Sequence, residues 1–150
     1  AKPVLTGAIN TGVALTSFVG HSWPEYWTFD GLFKMADAAA LTNIDRPTVV
    51  TQWGCWNNYH VAANGNTMSH KLLVSGRQGA AAALGSSTLT EAAHERKLAR
   101  EVYQRLFEPG ATMGEAVVAA KRAHAAKFPG ELDVILGWTL LGDPAIVLGP

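Results

Sequence analysis

Apolar residues in this chain come in short unbroken runs, set apart by glycine, proline and polar breaks. Residues 13–19 (VALTSFV) are rich in β-branched and aromatic side chains and stop at Gly20, which predicts a buried strand. Residues 48–53 (TVVTQW) lie between Pro47 and Gly54 and predict a second. Residues 80–84 (AAAAL), closed by Gly85, predict a third, although alanine also favours helix. A longer apolar run, 132–141, precedes a Gly142-Asp143-Pro144 turn and a final short strand at 145–148. Between these runs Asp30 is placed to cap a short helix, and residues 36–41 and 69–75 are helical in character. Thr88-Leu89-Thr90-Glu91 carries a helix-start signature. Behind it Ala99, Val102, Tyr103 and Leu106 recur at i, i+3, i+4 and i+7, one apolar face, with Glu101 and Arg105 paired opposite. Thr112-Met113-Gly114-Glu115 opens another helix, ended near Lys127 by Pro129-Gly130.

Strand and helix alternate, and the strands lack the two-residue period of a half-exposed sheet. Strands of that kind are buried on both faces, as in a parallel or mixed α/β sheet with helices on either side. Ligand sites in open sheets lie at the carboxyl ends of the strands. There is no internal repeat, low-complexity tract or Ser/Gly linker.

Composition narrows the function classes. The chain has 150 residues, of which 48% are hydrophobic and 16% charged, so it can bury a core. Twelve basic and twelve acidic side chains leave no net charge, against the basic face of a nucleic-acid binder. No apolar run reaches the roughly 18 to 20 residues of a membrane span. The single cysteine, Cys55, excludes an intrachain disulfide and a cysteine zinc cluster. Neither H-x-x-x-H nor H-E-x-x-H occurs, which argues against catalytic zinc. The start at Ala1-Lys2-Pro3, without Met or a signal pattern, has the character of a chain entered mid-domain.

Two chemically active residues follow strand ends. His21 comes after Gly20 and Cys55 after Gly54. If the strands are parallel neighbours, both emerge on one edge of the sheet, as a thiol nucleophile and a proton-transfer group require. Taken singly, each has a structural explanation: a buried cysteine serving as a small hydrophobe, or a satisfied structural histidine. His60 and His70 belong to a polar stretch with Asn57, Asn58, Asn64 and Asn66, read as a loop near the site. His94 and His124 fall on helices at surface or boundary positions, and Asp143 is a turn residue.

The run from Gly7 to His21 resembles the approach to the catalytic histidine in gingipain-type cysteine peptidases, of the caspase-like clan. Residues 36–43, the strand from Pro47 to Cys55, residues 79–87, Gly114-Glu115-Ala116 and Leu141-Gly142-Asp143-Pro144-Ala145 resemble later segments of that family in the same order. The resemblance spans nearly the whole chain but only the C-terminal portion of the family's catalytic domain. It implies a caspase-like three-layer α/β sandwich, residues 1–150, with a mostly parallel sheet lacking its first strands. It implies a cysteine endopeptidase in which Cys55 attacks the scissile carbonyl and His21 protonates the leaving amine. The resemblance further implies that backbone N–H groups of Ser22 and Cys55 form the oxyanion site and that no cofactor is required. Trp53, Trp56 and the loop Ser86, Ser87, Thr88 are then expected to wall the substrate groove, with ordinary core as the alternative for both tryptophans. Ser22 stands where the family has glycine, and its Cβ is expected to restrict the backbone there and alter activity. The implied partners are a protein or peptide substrate and the missing N-terminal half of the domain. By the same analogy the location is extracellular or at a bacterial cell surface. A non-catalytic caspase-like binding module or inactive remnant is the alternative; another is an unrelated α/β enzyme in which Cys55 is core.

Overall fold

The computed structural model describes residues 1–61 and 67–149. Thirteen elements follow in chain order: α1 (Lys2–Thr11), β1 (Leu15–Val19), β2 (Ser22–Trp23), β3 (Tyr26–Trp27), β4 (Phe33–Lys34), α2 (Met35–Ala39), β5 (Thr48–Trp53), α3 (Met68–Leu73), β6 (Ala80–Ser86), α4 (Ala92–Leu106), α5 (Met113–Lys127), α6 (Leu132–Gly137) and β7 (Trp138–Gly142). The main sheet has four strands in the order β1-β5-β6-β7. The first three are parallel and β7 runs antiparallel to β6.

Apolar runs explain the layering. Neighbouring residues of a strand point to opposite faces, and in β5 both faces are buried: Val49 is 2% and Val50 is 1% exposed. Val49, Trp53, Ala82 and Leu84 pack with Leu98, Val102 and Leu106 of α4, Met113 and Val117 of α5, and Val134 of α6. On the other face Phe18, Val50 and Ala83 pack with Ile9 of α1, Ala38 of α2 and Leu72 of α3. Helices therefore cover both sides of a mostly parallel sheet, the three-layer arrangement the sequence predicts.

Several elements differ from expectation. Residues before the first strand form α1, despite Gly7 and the β-branched Val4, Thr6, Ile9 and Thr11, which disfavour helix. The helix ends at Gly12, whose φ of 90° is left-handed, and only Ile9 of it is buried. Asp30 caps nothing; it lies in the turn leading to β4, part of a small antiparallel sheet β2-β3-β4. The 132–141 run divides into α6 and β7 at Gly137–Trp138. Residues 145–148 contribute only a single bridge, Thr112 to Val147, rather than a strand. Helix α4 begins at Ala92, later than the Thr88 signature indicates, and the Asp133 carboxylate accepts from the N–H of its N-cap residue Glu91 at 2.9 Å.

The two long helices form as predicted. Thr112 and Glu115 make a reciprocal capping box at the start of α5. Glu101 and Arg105 are paired at 2.7 Å, but the pair lies in the α4–α5 seam, where Glu101 also binds Lys127 at 2.5 Å. Hydrogen bonds from Lys127 and then Arg105 hold its carboxyl below the ordinary value. His124 is fully buried rather than at a boundary, with Nε2 2.9 Å from Glu131 Oε2. No helix among the described residues is long and apolar enough to cross a membrane.

Candidate active site

Register places the two chemically active residues. Strand β1 pairs parallel with β5 so that Val19 stands opposite Trp53, and the Gly20 N–H donates to the Trp53 carbonyl at 2.9 Å. His21 and Cys55 each lie two residues beyond that last matched pair. Both line one cavity of about 520 Å³ on the α4 side of the sheet, at the carboxyl ends of the strands. Trp53 and Gly54 belong to its wall, and so do Thr90, Glu95, Arg96 and Tyr103.

Three strand ends are sewn together beneath this cavity. Ser22 Oγ donates to the Cys55 carbonyl at 2.7 Å and accepts from Asn57 Nδ2 at 2.9 Å. Asn57 Nδ2 also donates to the Gly54 carbonyl at 3.1 Å, and its Oδ1 accepts from the Ser86 N–H at 3.0 Å. Ser22 thus ties β2 to the Cys55 peptide. Its backbone is extended, outside the left-handed region, so the Cβ imposes no strain. The expected restriction does not arise, and the hydroxyl supplies a tether that glycine lacks. Glycine is needed instead at Gly54, where a Cβ would collide with the Gly20 carbonyl oxygen and the Ser22 hydroxyl. Trp56, directly after Cys55, has a left-handed φ of 62°, which turns the chain sharply at the end of β5.

The two catalytic candidates are not joined to each other in this state. Cys55 Sγ lies 3.6 Å from both the carbonyl and the hydroxyl oxygen of Thr90. The exposed His21 ring stacks on Phe29, with centroids 5.2 Å apart. Catalytic hydrogen bonds in unliganded sites often tighten only when substrate binds.

The expected groove residues divide. Trp53 lines the cavity from below, 1% exposed, with Nε1 donating to Tyr103 Oη at 2.8 Å and its ring stacked on Trp138. Trp56 turns away and meets Tyr59 edge-on at 4.9 Å. Ser86, Ser87 and Thr88 lie outside the cavity lining. Ser86 Oγ is occupied by the Thr88 carbonyl at 2.8 Å, and Ser87 Oγ by the Gly137 carbonyl at 3.0 Å.

Thr90 and Glu95 were not singled out from sequence, yet both line the cavity. The Thr90 hydroxyl donates to Glu95 Oε1. Burial pushes the Glu95 carboxyl above its ordinary value, with the Thr90 hydrogen bond acting the other way. A signal existed: Glu95 precedes Leu98, Ala99 and Val102 by three, four and seven residues, so it falls on the buried face of α4.

Comparison with known proteins follows from this geometry. The sequence profile of peptidase family C25 matches residues 1–149. The chain belongs to this family. No curated protein matches it. Among solved structures, this C25 chain is similar to the complex of Porphyromonas gingivalis RgpB pro- and mature domains, with a TM-score of 0.85 at 20% identity, covering 98% of this chain and 37% of that one. It is similar to the Arg-specific cysteine proteinase gingipain R, with a TM-score of 0.84 at 20% identity, covering 98% and 36%. A third protease structure gives 0.81 at 17% identity, covering 94% and 36%. The C25 chain thus spans a little over a third of these relatives and shares their caspase-like fold.

Below the site, the asparagines read as a loop are core. Asn57 and Asn58 are fully buried, while Asn64 and Asn66 lie outside the described residues. Asn58 Nδ2 donates to the Ala83 carbonyl at 3.1 Å and the Thr139 carbonyl at 2.8 Å. Its Oδ1 accepts from Gln52 Nε2 at 3.3 Å and from Ser69 Oγ. Among the described residues no group of three or more His, Cys, Asp or Glu is arranged to hold a metal ion.

Proposed function

We propose that this chain carries the nucleophile and the proton-transfer group of a C25 cysteine endopeptidase. The observation that carries the reading is the shared cavity: parallel register brings His21 and Cys55 to one pocket at the strand ends. Family membership supports the same chemistry.

In this mechanism Cys55 gives its proton to His21, and the Sγ electron pair adds to the scissile carbonyl carbon. The carbonyl oxygen becomes an oxyanion, held by the N–H groups of Ser22 and Cys55. The ladder supports the Ser22 assignment. Because the Thr28 N–H donates to the His21 carbonyl, Ser22 and Trp27 form the non-hydrogen-bonded pair, and the Ser22 N–H points away from β3. Collapse of the oxyanion breaks the C–N bond, and the imidazolium of His21 protonates the departing amine. Water, deprotonated by His21, then hydrolyses the thioester and regenerates the thiol. The scheme needs no cofactor.

The partners are a peptide or protein substrate and the preceding strands of the same domain. The free edge of β1 supports the second. Among the described residues β1 pairs only with β5, and Val19 is 70% exposed beside the cavity. Such an edge is a template for another strand. Location outside the cell or on a bacterial surface accompanies this reading.

The test uses the full-length protein and a quenched-fluorescent peptide library. Internal cleavage that iodoacetamide abolishes and a chelator spares supports the endopeptidase. Peptide binding without cleavage supports the alternative, a non-catalytic module.

A further inference from the structure

Cys55 makes its side-chain hydrogen bonds with a residue that the mechanism does not use. Both oxygens of Thr90 lie 3.6 Å from Sγ. The carbonyl oxygen can only accept. The hydroxyl has one proton, and that proton is committed to Glu95 Oε1, so toward the sulfur it offers lone pairs alone. A thiol satisfies this surrounding as a donor, whereas a thiolate would meet two acceptors. Glu95 is 7% exposed, which leaves its carboxylate few partners besides Thr90. It is faced by His21 beyond β1, by Arg96 of its own helix and by Asp133 of α6.

We propose that Thr90 and Glu95 are positioning residues for the nucleophile: Glu95 fixes the Thr90 hydroxyl, and the two Thr90 oxygens hold the Cys55 thiol on the α4 wall until substrate draws it toward His21. The functional meaning rests on the peptidase reading, but the contact does not require turnover. The resting site then faces the sulfur with two acceptor oxygens on the Thr90 side. Releasing the Thr90 hydroxyl from Glu95 lets it donate to sulfur, which favours the thiolate.

The experiment follows alkylation of Cys55 by iodoacetamide in the full-length protein. The Cys55 peptide is quantified by mass spectrometry between about pH 5 and 9. Glu95→Ala is expected to raise the rate at neutral pH roughly 3- to 10-fold and to move the profile toward acid. Glu95→Gln controls for charge: its amide oxygen still accepts from Thr90, so its rate stays close to wild type. In a Thr90→Val background, Glu95→Ala adds nothing beyond Glu95→Gln, because no hydroxyl remains to turn. Equal rates for Glu95→Ala and Glu95→Gln overturn the proposal, as does an Ala effect that persists without the hydroxyl. If Glu95→Ala does not fold, Thr90→Ser against Thr90→Val decides. The serine variant keeps the wild-type rate and the valine variant exceeds it about threefold or more; equal rates overturn the proposal. Absence of peptide cleavage in the wild type would count against the peptidase reading and leave this comparison intact.

Discussion

Cys55→Ala removes peptide hydrolysis by the full-length protein, with kcat lowered at least about 10⁴-fold and the fold unchanged. The size follows from the role. Without Sγ no thioester forms, and the oxyanion donors and bound water give only residual catalysis. Stability changes little, because Cys55 is only partly buried and its side-chain hydrogen bonds are the two long ones to Thr90. His21→Ala lowers kcat by roughly 10² to 10⁴, the range for loss of a positioned general acid and base. The double variant is no slower than Cys55→Ala alone, since the two residues act as one unit. Steady-state kinetics with one fluorogenic peptide checks all three. A Cys55→Ala enzyme within tenfold of wild type would remove the nucleophile from the account.

Asn58→Ala is the most destabilising substitution expected outside the apolar core, at about 3 kcal/mol. The lost side chain takes one donor from each of the Ala83 and Thr139 carbonyls and strips Gln52 and Ser69 of an acceptor. These groups are buried, so water cannot replace the bonds without opening the sheet. The change reads as a fall in the urea midpoint of roughly 1.5 to 2 M. It also loosens β7 from β6 near the strand ends that carry the site. A fall below about 0.5 M would mean that water enters the network and that Asn58 does not hold the strands.

What sequence shows of this fold is what burial writes into it. The runs at 48–53 and 80–84 are apolar because both faces of β5 and β6 are covered, and their closing glycines mark strand ends. The apolar stripe of α4 and the capping box of α5 are likewise local. His21 and Cys55 could be paired because each follows a glycine at a strand end.

The remainder depends on contacts between distant segments. Asn57 and Asn58 look like loop residues, since asparagine is favoured in turns, yet they bond backbone groups of Gly54, β6 and β7 that no local rule exposes. Ser22 looks like a departure at a glycine position. Its value comes from the Cys55 carbonyl and Asn57, 33 and 35 residues away. Helix α1 lacks helix-favouring composition and is placed by packing Ile9 under the sheet. Glu95 was legible in principle, as a charge on an otherwise apolar helical face.

The most direct test of the central claim is covalent labelling of the full-length protein with a peptidyl acyloxymethyl ketone, mapped by mass spectrometry. Such a probe is attacked only by a nucleophile that also lies in a peptide-binding site. The account predicts one adduct, on Cys55, suppressed by excess substrate peptide and strongly reduced in His21→Ala. An adduct on another residue, or Cys55 labelling indifferent both to substrate and to His21, would contradict it.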